Sequence, residues 1–134
     1  MFNLELIKHK SKLKLDLAKC FASLIDELGN VPLTMQTDPV INGAIVSVCN
    51  NYLESQNISK KLSKALVIDS VFEEIYRLES IAVQTRVDQW LENNEALYIQ
   101  GCQYIKQQSD HDLNLQWLAD YSRQNFKQAT GLML

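Results

Sequence analysis

Between Pro39 and Gln128 the chain carries almost nothing that would interrupt a helix. Pro39 is the last proline, and Gly101 is the only glycine between Gly43 and Gly131. Apolar residues return every three or four positions along this stretch, which is the period of one helix face. The chain's four glycines and two prolines are too few for the tight turns of a sandwich or barrel. The predicted fold is an all-α, single-domain bundle of about five helices over residues 1–134, with a long central helix at about 60–92.

A domain of 134 residues buries about two thirds of the surface its unfolded chain exposes, so a core needs no metal or disulfide. With 46% hydrophobic and 22% charged residues the chain lies far from the disordered class. No apolar run approaches the roughly 20 residues of a membrane span. The opening MFNLELIKHKSKLKLDL has its lysines after the first apolar residues and no small-residue cleavage site, unlike a signal peptide. Cys20, Cys49 and Cys102 are an odd set at apolar helical positions, which predicts reduced, buried thiols in a cytoplasmic protein. A redox pair of Cys49 with Cys102 is the alternative.

Along the chain, Phe2, Leu4 and Leu6 alternate with polar residues at the strand period, so residues 2–7 are open to a strand reading. Leu13, Leu17, Cys20, Phe21, Leu24 and Leu28 then form a helical stripe that Gly29 closes. Lys10 and Lys14 fall on its edge: either the helix begins near Lys12, or their stems lie over the core. Residues 29–38 are a connector, and Asp38-Pro39 supplies a cap followed by proline at the first helical position. The next helix runs to about Ser55, with Ile41, Ala44, Ile45, Val48 and Tyr52 inward and Asn42, Ser47, Asn50 and Glu54 outward. Asn57 or Ser59 caps the following segment.

Ser70 with Glu73 allows a break near Asp69, but no glycine or proline marks it, and one helix over 60–92 with a bend near Ile81 is preferred. Asn93-Asn94 ends it and caps a helix from Glu95 to Gln107, in which Gly101 permits close approach of a neighbour. Ser109 with Asp112 caps a last helix to about Gln128, striped by Leu113, Trp117, Leu118 and Tyr121. Trp90 and Trp117 are expected in the core or an interface. Residues 130–134 are read as a flexible apolar tail. Leu97, Gly101 and Tyr104 have the spacing of a helical repeat, but a 34-residue shift puts Val67 and Ser70 at the last two positions, so no second copy appears.

Chemistry-bearing motifs are scarce. His9 and His111 lie about a hundred residues apart, whereas catalytic zinc usually needs three protein ligands. Asp110-His111-Asp112 coincides with a helix start, where acids favour the positive dipole end. Glu73 and Glu74 share a polar face with Arg77. Glu79 and Arg86 instead fall on the apolar arc, seven residues apart, as charges that specify a register or a partner. Neither GxGxxG nor GxxxxGK occurs, and no nucleophile–histidine motif stands out. The sequence therefore points to no metal and no cofactor.

Charge is uneven. Residues 1–20 set Lys8, Lys10, Lys12, Lys14 and Lys19 against Glu5 and Asp16, a net +3, whereas residues 65–120 set three basic residues against ten acids, a net −7. The expected function is a non-enzymatic protein-binding module, in the manner of an adaptor, small chaperone, inhibitor or immunity-type factor. Its candidate contact residues are Lys8, Lys10, Lys12, Lys14, Glu79 and Arg86. The expected partner is another protein, with a homodimer as a further expectation from helices apolar on two faces. The alternative is a nucleic-acid-associated regulator gripping phosphates through the lysine-rich start. An unrecognised helical enzyme stands third.

Overall fold

The computed structural model describes residues 4–105 and 111–126. Among them there are seven α-helices and no strand: α1 (Leu4–Phe21), α2 (Leu33–Gln36), α3 (Pro39–Ser55), α4 (Lys61–Tyr76), α5 (Ser80–Glu92), α6 (Ala96–Tyr104) and α7 (His111–Asn125). The all-α bundle expected from the sequence is what forms. The apolar tail and the cap at Ser109 lie outside the described residues.

The central helix is α3, not the 60–92 segment. Its Ile41, Ala44, Ile45, Val48, Cys49 and Leu53 are at most 1% exposed, and it packs against α1, α4, α5, α6 and α7. Fully burying an aliphatic side chain of this size contributes about 1.5–3 kcal/mol. Asp38 caps α3 by accepting from the Ile41 N–H, with Pro39 in the first turn. Asn42, read from the sequence as outward-facing, is completely buried. It is tolerated because its amide donates to the Met35 and Asp38 carbonyls while its Oδ1 accepts from the Tyr76 hydroxyl at 2.5 Å. Burial holds that phenol well above its usual range.

α3 and α6 meet backbone to backbone. A Cβ at Gly43 would fall on the Tyr98 carbonyl, and one at Gly101 on the Val40 carbonyl. The close approach expected of Gly101 is present, with Gly43 as its counterpart on α3.

Several boundaries differ from expectation. α1 is helical from Leu4, so residues 4–7 are not a strand, and Lys10 and Lys14 are half-buried at the edge of the core. Helix one stops at Phe21 and tightens into a 3₁₀ turn, Ala22–Leu24. Asp26 then captures the Leu28 and Asn30 N–H groups with its carboxylate, which leaves Leu28 84% exposed. Gly29, at φ +86, serves this turn and not a helix end. The connector holds the short helix α2, whose Met35 reaches the core.

The expected long helix is broken at Arg77, with φ +54 and ψ −119, well past Asp69 and about one turn before the bend expected near Ile81. A non-glycine residue there costs of order 1–3 kcal/mol. The reversal lets α5 fold back on α4 and bury Val83 beside the core that holds Phe72, Ile75 and Tyr76. Leu78, Ala82 and Leu91 end up exposed. The last helix ends at Asn125, and its inward stripe is Asn114, Leu118 and Ser122. Leu113 is 65% exposed, while Trp117 is half-buried between Tyr104 and Tyr121, with ring centroids 5.1 Å from each. Trp90 is likewise half-buried, against Tyr98.

Candidate functional site

α3 ends in a Schellman turn. Asn57 takes φ +63, Ile58 N–H donates to the Leu53 carbonyl, and Asn57 N–H donates to that of Glu54. Asn57 thus closes the helix before it instead of capping the one after. The turn presses Ile58 toward Leu53 and leaves an extended step to Lys60, after which α4 begins. α1 runs alongside α4, so its Leu6 comes opposite the start of α4. The result is a groove of about 420 Å³ bounded by Leu6, Ile58, Leu62 and Leu66, with Lys60 at its edge.

The groove is open, with its aliphatic lining interspersed by Asn57, Ser59 and Ser63. Leu62 is 72% exposed, Leu66 54%, and Leu4, in the first described turn of α1, 73%. Leu62 and Leu66 are four residues apart on α4 and so point the same way. Lys60, at the groove's edge, and the neighbouring Lys61 are exposed. Lys64 is held by Glu54 at 2.9 Å.

A second constellation lies where α1, α3 and α7 meet. The chain's two histidines flank one tyrosine: His9 Nδ1 is 2.9 Å from the Tyr52 hydroxyl, and the His111 ring centroid is 4.9 Å from that of Tyr52. Each imidazole also faces a carboxylate, His9 Nε2 with Glu5 at 3.5 Å and His111 Nε2 with Asp16 at 3.3 Å. Lys12 donates to the same Asp16 at 3.0 Å, and that hydrogen bond raises its ammonium pKa. Burial raises the Tyr52 phenol, so it keeps its proton at neutral pH. With Tyr52 only 9% exposed, the group is a polar clasp between three helices. Among the described residues no three His, Cys, Asp or Glu side chains converge as metal ligands. The sequence separation of the histidines hid this cluster; only the parallel course of α1 and α7 brings it together.

Compared with protein-family models, curated proteins and solved structures, the chain shows no match. Its site is therefore read from geometry alone.

The residues singled out in the sequence are scattered. Lys12 turns to Asp16 on the α7 side of α1, whereas Lys14 turns to Glu74 on α4 at 3.7 Å. Lys10 is half-buried, and Lys8 is exposed one turn beyond Leu4. Glu79 is exposed in the 3₁₀ turn before α5. Arg86 is half-buried on α5, and its Nη1 is enclosed without a hydrogen-bond partner among the described residues. Of the six, Lys8 has the nearest sequence link to the groove. Of the leucines that line it, Leu6 packs against the core, whereas Leu62 and Leu66 follow the helical period but are exposed, a distinction that periodicity does not make.

Proposed function

We propose that this protein is a non-enzymatic protein-binding module whose groove between α1 and α4 takes an acidic amphipathic helix of another protein. The observation that carries this reading is the pair Leu62 and Leu66, exposed at adjacent turns beside Leu6 and Ile58. Contiguous solvent-facing leucines mark interaction sites more often than isolated ones, and aliphatic anchors at i and i+4 suit a helix laid in a groove. Lys60 and Lys61 set the sign of the partner's flanks, since complementary charge steers encounter and fixes register.

The lysines at positions 12 and 14 are neutralised by Asp16 and Glu74, which weakens the case for a phosphate-gripping start. A panel of helical peptides tests the reading: leucines at i and i+4 flanked by glutamate, the same leucines flanked by lysine, and glutamates without leucine. The acidic, leucine-bearing peptide should bind best, and its affinity should fall with salt. Leu62→Asn with Leu66→Asn should weaken it at least tenfold. Equal binding of all three peptides, or tighter binding to random duplex DNA, would overturn the reading.

A further inference from the structure

The segment from Lys61 to Glu92 contains neither glycine nor proline, yet the chain reverses inside it. Arg77 N–H still donates to the Glu73 carbonyl as a helical residue would. The Arg77 backbone then turns to φ +54, a region that glycine enters freely and a residue with a Cβ does not. Helical angles are restored by Ser80, at φ −60 and ψ −38.

The reversal also exposes apolar surface. Val71 and Ile75 are buried on α4, and on an uninterrupted helix Leu78 would continue their face, three residues after one and seven after the other. In the reversed chain Leu78 is 95% exposed and Ile81 76%. Fold-back further brings Asp88 close enough to act on Asp69, whose carboxyl is raised by burial first, then by Glu73 and Asp88.

The second half of the chain is held chiefly by contacts that do not involve the hinge. α6 lies on α3 through Gly43 and Gly101. α7 is tied to α1 by His111 with Asp16 and by the Cys20 thiol to the Leu115 carbonyl, and to the start of α3 by Tyr121 with Asp38. Contacts of this kind form equally well between two chains.

We propose that two copies of this protein form a swapped dimer, in which each chain straightens at Arg77 into one helix over 61–92 and gives its α5-to-α7 half to the other. Straightening releases the Arg77 backbone, separates Asp69 from Asp88 by about 28 Å along one helix, and lets Leu78 of the two copies pack together where the hinges meet. This partner is independent of the groove at Leu62 and Leu66.

The test compares wild type, Arg77→Gly and Arg77→Ala, each refolded from denaturant at high and at low protein concentration and weighed by light scattering after size exclusion. Wild type and Arg77→Ala should yield a dimer at high concentration that persists on dilution, because exchange requires unfolding. Arg77→Gly should yield about fivefold less, since glycine accepts the reversed backbone and is the poorer helix former. Both variants lose the guanidinium, so the difference between them reads the backbone alone. Only monomer from wild type and Arg77→Ala would overturn the proposal, and so would equal dimer from the glycine and alanine variants.

Discussion

Gly101 faces the Val40 carbonyl and Gly43 the Tyr98 carbonyl, and backbone atoms cannot swing aside as the end of a side chain can. Gly101→Ala should therefore force α3 and α6 apart and lower stability by roughly 1–3 kcal/mol. An unchanged denaturation midpoint would show that the contact yields freely. Tyr76→Phe leaves the buried Oδ1 of Asn42 without its donor and should cost a similar amount, about 1–3 kcal/mol. The thiols give a chemical check on packing. Burial pushes Cys49 up to about 12 and Cys20 up to about 11, so little thiolate exists at pH 8. Native protein should label slowly at both positions and react at all three cysteines once unfolded. Rapid labelling of Cys49 in the native state would mean that the α3 core opens.

At the scale of elements, α4 and α5 lie with like charges near one another. The Asp69 carboxyl is held above its ordinary range by burial, then by Glu73 and Asp88. A raised carboxyl means that the folded state binds more protons than the unfolded one. Stability therefore rises as pH falls through that raised value and levels off below the unfolded one. Asp69→Asn should raise Tm at pH 7 and flatten the rise on acidification; an identical pH profile in the variant would rule this out. Helix ends show what was legible in the sequence and what was not. Asp38-Pro39 starts α3 and Asn93-Asn94 ends α5 where expected, but the cap of α6 is Glu95, whose carboxylate accepts from the Leu97 N–H, and not Asn94, which at φ +52 closes the helix before it. Asn57 also acts locally, but its side of the boundary depends on whether the chain turns left-handed after α3. The break at Arg77 has no local signal at all: it is imposed by the burial that fold-back gives Val83. The groove was equally hidden, because Leu62 and Leu66 share the period of core residues and only the placement of α1 decides which leucines are covered.

For the whole molecule, charge and apolar exposure coincide at one end. Lys60 and Lys61 are exposed at the opening of α4, where Leu62 and Leu66 also face outward. Because these side chains are exposed, Leu62→Asn and Leu66→Asn should each shift folding stability by no more than about 0.5 kcal/mol. Loss of peptide binding with unchanged melting is thus the expected signature, and a large fall in Tm would show the leucines to be structural. The most direct measurement is an amide chemical-shift map of the protein titrated with the acidic, leucine-bearing helical peptide. Perturbations should concentrate in residues 4–8 and 57–66. Perturbations centred on α5 to α7, with residues 57–66 unmoved at saturation, would contradict the groove as the binding site.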